Sequence, residues 1–373
     1  MQQHIYKAIF INGDGIGPEL MNAASLVLRS IETRFKTFRL EIDIEPGGAL
    51  HFKNTGSNLS IDTLNAIRNA DATMKGPVGL PEVRLSDGTE AGVLGGVLRT
   101  GLDTYANIRP IRLLPGVLAP INANPGEVDY VIVRENTEGL YLSRGKGVQT
   151  DTAAADTLMI TRKGTERVVR RAFQIAEKRN GSPRDGIRRV TCVDKANVFR
   201  SQAFFRKIFD ERKIKFKDID ADHCYVDAMA LNLIRNPWEY DVMVMENMFG
   251  DILSDLGGGL IGGMGMASCA EIGDNHGLFQ PAHGSAPDIL GQDKANPLAT
   301  ILSASLMLEY LSDKIKCKST LLGSRLIETA IEIGFERNEL RPIEFGGDMG
   351  TTAITETLSD LLKDNEIQKQ ILT

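Results

Sequence analysis

The sequence predicts an α/β protein, because β-rich segments alternate with segments of helical periodicity and glycine-containing turns join them. Residues 240–245 alternate and are rich in β-formers, which is typical of a buried strand. Residues 8–12 predict a first strand, and residues 20–31 predict the helix that follows the glycine turn 13–19. Open α/β sheets hold ligands at the carboxyl ends of their strands, so functional residues are expected just after the predicted strands.

The remaining elements follow in chain order. Strands are predicted at 40–44, 72–75, 128–134 and 189–193, and helices at 61–69, 161–179, 204–211 and 299–311. Residues 221–226 lead into Asp227 and another apolar helical run. In 161–179 the apolar residues recur at helical spacing, and the arginines and lysines between them indicate a solvated face. Residues 142–161 are polar and small, which favours an excursion or arm. Residues 278–296 predict a long irregular loop, and loops of that length are usually functional.

Composition excludes several classes of protein. A chain of 373 residues corresponds to two domains or one large one. The net charge of −6 argues against a nucleic-acid surface. The four cysteines have no C-x-x-C spacing and fit reduced thiols, which favours a cytoplasmic protein. We expect no signal peptide and no membrane span, because no charged segment precedes an apolar run and no apolar run reaches about 18 residues.

Two carboxylates form a candidate metal site after the strand 240–245. A short turn is expected at 246–250, with a helix opening at Asp251. Asp251 and Asp255 are four residues apart and therefore share a helix face. They repel each other unless a cation lies between them, and oxygen ligands suit Mg²⁺ or Mn²⁺. The alternative stays open that these aspartates only complement the dipole of a helix N-terminus.

Cationic side chains lie near other predicted element ends. Arg99, Arg109 and Arg134 could each hold a carboxylate bidentately, and together they suit a substrate with two or more carboxylates. A single arginine is more often a surface residue. Lys195 could act as a general base if its pKa is depressed, and the alternative is an exposed lysine.

The loop 278–296 carries candidate nucleotide contacts. His283, Gly284, Ser285 and Ala286 allow close backbone approach and supply donors, and Asp288 could accept hydrogen bonds from both hydroxyls of a ribose. The turn GDGIG is not the G-x-G-x-x-G fingerprint, so it is only a weak Rossmann signal.

Seven stretches together resemble the β-decarboxylating dehydrogenase family of isopropylmalate, isocitrate, homoisocitrate and tartrate dehydrogenases. They occur in family order and cover nearly the whole chain: GDGIGPE (13–19), LRTGLDTYANIRP (98–110), VRENTEGLY (133–141), DKANV (194–198), YVDAM (225–229), ENMFGDILSDL (246–256) and HGSAPDILGQDKANP (283–297).

The resemblance implies an isopropylmalate/isocitrate dehydrogenase-like fold of two doubly wound α/β domains, which is not a Rossmann fold. Residues 1–104 and 263–373 would form a discontinuous cofactor-binding domain. Residues 105–262 would form an inserted substrate, metal and dimerisation domain, with an arm at about 142–161. The protein is expected to be a homodimer whose active sites are shared between subunits.

The resemblance also implies roles for single residues. Arg99, Arg109 and Arg134 would hold the carboxylates of a malate. Asp251 and Asp255 would bind Mg²⁺ or Mn²⁺ together with Asp227 of the partner subunit. Lys195 of the partner subunit would be the base, and Tyr141 the acid. The residues expected to contact the NAD cofactor are Ile16, His283, Gly284, Ser285, Ala286, Asp288, Ile289 and Asn296.

The implied reaction is NAD-dependent oxidative decarboxylation of a 3-substituted (R)-malate to a 2-oxo acid, CO₂ and NADH. Isocitrate enzymes usually have serine and asparagine at the positions of Val93 and Gly95. Isopropylmalate enzymes have a leucine pair where this chain has the apolar but roomier run 95–98. The stretch VRENTEGLY is more similar to that of homoisocitrate and isocitrate enzymes than to the usual isopropylmalate version.

We therefore expect an apolar substituent, with 3-isopropylmalate as the named substrate. Isocitrate, homoisocitrate, tartrate and D-malate are the alternatives. A non-catalytic regulatory homologue is a further alternative, against which the intact Tyr141, Lys195 and aspartates argue.

Overall fold

A computed structural model describes residues 3–86 and 88–371. The strands are β1 His4–Ile11, β2 Phe38–Ile44, β3 Ala72–Lys75, β4 Ala106–Arg112, β5 Asp129–Glu135, β6 Val148–Gln149, β7 Ala154–Ala155, β8 Arg189–Asp194, β9 Asp220–Tyr225, β10 Val242–Met245, β11 Ser268–Ile272 and β12 Gly277–Pro281. The helices are α1 Gly17–Phe35, α2 Ala49–Thr55, α3 Ile61–Asn69, α4 Gly95–Leu102, α5 Arg162–Lys178, α6 Arg200–Lys213, α7 Val226–Arg235, α8 Asn247–Leu260, α9 Leu298–Ile315, α10 Lys318–Glu336, α11 Thr351–Leu361 and α12 Asn365–Gln370.

Ten strands form one mixed sheet in the order β2-β1-β3-β12-β11-β4-β5-β10-β8-β9. β11 runs antiparallel to both of its neighbours, β12 and β4, and β4 is also antiparallel to β5. Strands from the chain's two ends therefore make one half of the sheet, and strands from its middle make the other half. The α/β class is confirmed, whereas the domain boundaries stay a prediction.

Helices cover both faces of the sheet. On β1, Ile9 and Ile11 pack against α3 and α4, while Ala8 and Phe10 point to the face that α1 and α9 cover. On β5, Val131 and Val133 face α5 and α6, and Ile132 lies on the face that α8 covers. Neighbouring residues of a strand point to opposite faces, so both faces can be followed across the sheet through the strand register. We call the face that carries α4 and α8 the front face and the opposite one the back face.

The helix that carries the aspartate pair begins earlier than the sequence indicates. The expected turn at 246–250 is wrong, because α8 already begins at Asn247. The Glu246 carboxylate accepts hydrogen bonds from the backbone N–H groups of Met248, at 3.1 Å, and Phe249, at 2.9 Å. This side-chain cap satisfies free donors of the first turn and starts the helix. Asp251 is therefore the fifth residue of α8.

One further expectation, the length of the loop before α9, differs from the structure. The loop expected at 278–296 is shorter, because Gly277–Pro281 is the strand β12. The segment 142–161 contains the exposed antiparallel pair β6 and β7, which fits an arm. Among the described residues, no helix is long and apolar enough to span a membrane.

Candidate active site

The candidate site lies on the front face, where the two halves of the sheet meet. β4 contributes Arg109, β5 contributes Arg134, and α8 crosses beside them with Asp251 and Asp255. Arg109 is 6 % exposed and Arg134 is 1 % exposed. Guanidinium groups this buried need partners of opposite charge, and both aspartates lie within reach of them.

Arg109 is held by side chains of two elements, α8 and its own strand β4. Its Nη1 atom donates to Ser254 Oγ at 2.7 Å and to Asp255 Oδ1 at 3.0 Å. Its Nε atom donates to Asn107 Oδ1 at 3.2 Å, and its Nη2 atom lies 3.7 Å from Asp251 Oδ1. The guanidinium plane is thereby fixed in front of both carboxylates.

Asp251 is shared between a cation and a phenol. Arg134 forms an ion pair with Asp251 Oδ1, and the Tyr141 hydroxyl donates to Asp251 Oδ2. The Arg134 guanidinium also lies over the Tyr141 ring, 5.2 Å from its centroid. Burial opposes ionisation of Asp251, but Arg134, Tyr141 and Arg109 outweigh it and hold its pKa below the usual value. Burial raises the pKa of Tyr141, as do its hydrogen bond to Asp251 and that negative charge, so the phenol keeps its proton at neutral pH.

The position of the aspartates argues against a mere dipole effect. The first turn of α8 holds no acidic residue, and the influence of a helix N-terminus falls off within that turn. Burial raises the pKa of Asp255 against the pull of Arg109. Among the described residues, no three histidine, cysteine or acidic side chains are grouped so that they could hold a metal ion. Within one chain, two neighbouring carboxylates, Asp251 and Asp255, could bind a cation.

The sequence analysis missed the buried partner of Arg99. Glu271 on β11 is 0 % exposed, and Arg99 donates to its Oε1 atom from Nε at 3.0 Å and from Nη2 at 2.8 Å. Gln280 donates to the same oxygen at 2.7 Å and Asn107 at 3.3 Å. Burial favours the neutral acid, but Arg99 overcomes it and holds the pKa of Glu271 below its usual value. The signal was a lone acidic residue in the apolar strand SCAEI, which must have a partner if it is buried.

Lys75 is a second missed cation. It ends β3 on the front face, is 4 % exposed, and donates to the carbonyl of Gly76 at 3.3 Å. Burial lowers its pKa to about 8, against the attraction of Glu271. The sequence signal was a lysine at the end of a short apolar strand, directly before a Gly-Pro turn.

Lys195 and Asp227 lie apart from this cluster. Lys195 follows β8, Asp227 opens α7, and the two side chains form an ion pair with each other. The Asp227 side chain is 67 % exposed and that of Lys195 is 23 % exposed. A single chain does not bring Lys195 and Asp227 to Asp251, so their role in a neighbouring subunit's site stays a prediction.

Several of the residues expected to bind NAD do lie together. Ile16 packs in a small cluster with Ala286 and Ile289, and its backbone N–H donates to the carbonyl of Ser285 at 2.9 Å. Gly15 has φ of +55°, and an added Cβ would lie 2.0 Å from that carbonyl oxygen, so only glycine fits the turn. The first glycine turn and the HGSAP loop thus form one surface.

The other expected cofactor residues border this surface. His283 Nδ1 lies 2.8 Å from the carbonyl of Gly284, and burial lowers the pKa of His283, so the ring is neutral at pH 7. Asp288 is exposed. Asn296 donates to Glu344 at 2.9 Å and accepts from the N–H of Leu298 at 3.1 Å, so its side chain is already used to hold the start of α9.

One part of the expected substrate wall is wrong. Leu98 is 0 % exposed and packs in the core with Ile9, Ile11 and Leu278, because it lies on the inner face of α4. Val97 is 39 % exposed, and an added Cβ on Gly96 would meet no atom within 4 Å. The open wall beside Arg99 is therefore formed by 95–97.

These observations define an α/β protein with alternating guanidinium and carboxylate groups at the centre of its sheet. The sequence model of the family described as isocitrate/isopropylmalate dehydrogenase matches residues 7–361 of this chain. The chain therefore belongs to the isocitrate/isopropylmalate dehydrogenase family, and it is an oxidoreductase that acts on a CH–OH group. The resemblance seen in the sequence is confirmed.

Individual relatives agree with this assignment. The chain is 39 % identical to a 3-isopropylmalate dehydrogenase of Carboxydothermus hydrogenoformans, over 96 % of this chain and 94 % of the relative. It is 37 % identical to a homoisocitrate dehydrogenase of Methanocaldococcus jannaschii, over 96 % and 98 % of the two chains. The crystal structure of isocitrate dehydrogenase from Methylococcus capsulatus superposes with a TM-score of 0.83 at 32 % identity, covering 96 % of this chain and 100 % of that one.

Proposed function

We propose that the protein catalyses NAD-dependent oxidative decarboxylation of a 3-substituted (R)-malate, with Mg²⁺ or Mn²⁺ as its metal. The observation that carries this proposal is the cluster in which Arg99, Arg109 and Arg134 face the carboxylates of Asp251, Asp255 and Glu271. The guanidinium forks match carboxylates of a substrate, and the two aspartates supply the oxygen ligands that a hard divalent cation prefers.

The charge balance of the cluster fits this pair of ligands. The three arginines and three carboxylates cancel, so a dicarboxylate and a divalent cation that enter together would leave only the charge of Lys75 unbalanced. Either ligand alone would add two charges of one sign. Asp251 is ionised at neutral pH, since its pKa is lowered, and is therefore ready to bind a cation.

The residues of the chain suit the proton transfers. A divalent ion held by Asp251, Asp255 and Asp227 of the partner subunit would act as a Lewis acid on the substrate oxygens. Lys195 of the partner subunit would accept the hydroxyl proton, and a bound NAD would supply the hydride acceptor. Tyr141, whose pKa is raised, would hold a proton at its phenol oxygen and deliver it to the enol carbon after CO₂ leaves. A non-catalytic homologue would not need this acid beside Asp251.

We further propose that the protein is a homodimer with shared active sites. Leu231 and Ile234 on α7 and Ile252 on α8 are 49 %, 47 % and 60 % exposed, so apolar side chains face outward beside the metal carboxylates. A second subunit that covers them would remove this apolar surface from water and could supply Lys195 and Asp227.

Mixing two inactive variants tests this sharing. Lys195→Met and Asp251→Asn should each be inactive as homodimers, whereas a heterodimer would have one intact site. Random re-association should restore about a quarter of wild-type activity, because half of the dimers are mixed and each has one working site of two. If one variant is isotope-labelled, native mass spectrometry shows whether mixed dimers have formed. No activity in a sample that contains mixed dimers would place all catalytic groups on one chain.

For the substituent we propose an apolar group, with 3-isopropylmalate as the named substrate. The open wall 95–97 carries no polar side chain. A carboxylate facing this wall without a partner would be costly to bury.

Lys75 favours a second candidate, an acidic substituent as in isocitrate or homoisocitrate. It adds a fourth cation to the front-face cluster and could balance a third substrate carboxylate.

The deciding experiment is kcat/KM with NAD⁺ and Mn²⁺ for isopropylmalate, isocitrate, homoisocitrate, D-malate and tartrate. If isopropylmalate is preferred, the apolar wall sets specificity. If Lys75 serves an acidic substituent, KM for isocitrate or homoisocitrate should rise above pH 8, where Lys75 with a pKa of about 8 loses its charge. The KM for D-malate, which has no such group, is the control. No turnover of any of these would refute the proposed reaction.

A further inference from the structure

A buried amide lies between the arginine cluster and the loop that carries Tyr141. Asn247 is the first residue of α8 and is 1 % exposed. Its Oδ1 atom accepts a hydrogen bond from Arg134 Nε at 2.9 Å, and its Nδ2 atom donates to the backbone carbonyl of Glu138 at 2.8 Å. One side chain therefore joins a cation of the candidate active site to the backbone of the loop that carries the proposed acid.

The helix does not need this amide as a cap. The Glu246 carboxylate already accepts hydrogen bonds from the backbone N–H groups of the first turn of α8. Burying an amide is costly unless its donor and its acceptor both find partners. An apolar side chain could fill the same place at the start of α8 without that cost. The amide of Asn247 is therefore explained by the two groups that it holds.

The first of these groups is the Arg134 guanidinium. The stem of Arg134 lies against the backbone of α8 at Gly250, where an added Cβ would be 2.5 Å from Arg134 Cβ. The Nη1 atom forms an ion pair with Asp251, and the Nε atom donates to Asn247. Partners at two different nitrogens fix the plane of the guanidinium group. A fixed plane is what bidentate binding of a substrate carboxylate requires.

The second group is the loop backbone before Tyr141. The Tyr141 side chain is 43 % exposed, so the position of its hydroxyl depends on the backbone that carries it. The loop turns at Gly139, where φ is +78° and an added Cβ would lie 3.0 Å from Asn247 Cβ. The hydrogen bond from Asn247 to the Glu138 carbonyl ties this turn to α8. Without it, the phenol could move relative to Arg134 and Asp251.

We propose that Asn247 is a positioning residue that keeps the substrate-binding Arg134 and the proton donor Tyr141 in one fixed arrangement. The inference rests on the proposed function, because only a reaction that uses both groups makes their relative position matter. Asn247 acts through these two residues. Its hydrogen bond to the loop fixes where the phenol lies when the enol carbon takes up its proton. Hydride transfer uses other groups and should not depend on that hydrogen bond.

The substitution Asn247→Asp separates the two contacts. The aspartate can still accept from Arg134 Nε, but it has no donor for the Glu138 carbonyl, so two acceptor oxygens face each other there. Stopped-flow absorbance of NADH, with the panel substrate of highest kcat/KM, gives the rate of the first hydride transfer, and steady-state turnover gives kcat. We expect the first hydride transfer to stay close to its wild-type rate. We expect kcat to fall by roughly 10²-fold, because a displacement of about 1 Å in a reacting group can cost that much.

Two further variants test whether the effect runs through Tyr141. Adding Asn247→Asp to Tyr141→Phe should lower kcat no further, since substitutions that act through one group are not additive. Asn365→Asp is the matched control. Asn365 is also the first residue of a helix with an acidic cap, and its Oδ1 atom accepts from Arg34 at 2.6 Å. This control should leave both rates unchanged.

Hydrogen–deuterium exchange of a peptide that covers residues 136–143 tests the contact without turnover. In the ligand-free protein, this exchange should be at least about threefold faster in Asn247→Asp, which loses one hydrogen bond, and unchanged in Asn365→Asp. If Asn247→Asp does not fold, the shorter and uncharged Asn247→Ser replaces it, with the same faster exchange and the same larger effect on kcat than on hydride transfer.

Three results would overturn the role of Asn247: unchanged exchange of the loop, an equal decrease of hydride transfer and kcat, or a further decrease of kcat in the double variant. No turnover of any panel substrate by the wild type is a different result. It would refute the proposed reaction, and the role of Asn247 with it, whatever the exchange of the loop shows.

Discussion

The buried pair of Arg99 and Glu271 gives the prediction that the structure defines most sharply. Glu271→Gln keeps the shape of the side chain and removes its charge. The Arg99 side chain is 20 % exposed, so the substitution leaves a largely buried guanidinium without its counter-ion. Breaking a buried pair from one side costs about 3–5 kcal/mol. The residual exposure of Arg99 favours the lower end of this range, and about 3 kcal/mol corresponds to a Tm decrease of roughly 4 °C for a chain of 373 residues.

The same substitution should also reduce activity. Without Glu271, two donors of Arg99 lose the acceptor that fixes them at 3.0 and 2.8 Å. A displacement of about 1 Å in a substrate-positioning group can cost roughly 10²-fold, so we expect kcat/KM to fall by that order.

The assay is thermal unfolding followed by circular dichroism, with Glu332→Gln as the matched control. Glu332 pairs with Arg112 at 2.8 Å, but the two side chains are 33 % and 43 % exposed, so its loss should cost only about 0–1 kcal/mol. Because the pKa of Glu271 is lowered in the folded state, its stabilisation is complete above its unfolded pKa of about 4.3 and is lost as the pH falls through the folded value. The difference in the free energy of unfolding between wild type and Glu271→Gln should therefore be constant from pH 6 to 8 and become smaller at acid pH. If both variants unfold within about 1 °C of wild type, the Arg99–Glu271 pair does not hold the site together.

Three further predictions concern the proposed reaction. Asp251→Asn should keep its fold and lose most activity. One charged metal ligand accounts for several kcal/mol of Lewis-acid stabilisation, and about 1.4 kcal/mol corresponds to a tenfold change in rate. Full activity of this variant in EDTA would contradict the metal assignment. Tyr141→Phe should slow decarboxylation more than hydride transfer, and Lys195→Met should slow hydride transfer. The expected decrease in rate is roughly 10²–10⁴-fold for each variant. Near-normal turnover of Lys195→Met would mean that this lysine is structural. Wild type should prefer NAD⁺ over NADP⁺ by about 10²-fold or more, because the Asp288 carboxylate would repel the 2′-phosphate of NADP⁺. The double substitution Asp288→Lys/Ile289→Tyr should shift cofactor use toward NADP⁺. Equal kcat/KM for both cofactors in wild type would show that Asp288 does not face the ribose.

Local patterns in the sequence determined the α/β class, most of the elements and the family. The helix at 61–69 and the strand at 72–75 have the expected limits, because their periodicity and their boundaries are both encoded within a few residues. The start of α8 was placed too late, since a side-chain cap at Glu246 extended the helix beyond what apolar spacing indicates. The i, i+4 pair of Asp251 and Asp255 was visible because it is a relation within one helix.

Only the tertiary structure decided which charges meet. Arg99 and Glu271 are 172 residues apart in the chain, and they pair because the order of the strands brings β11 beside β4. The burial of Leu98 and the position of Lys75 under the same cluster also depend on that order. Sequence periodicity records which face of an element is apolar, whereas the partner of a buried charge is set by the packing of elements that the chain separates.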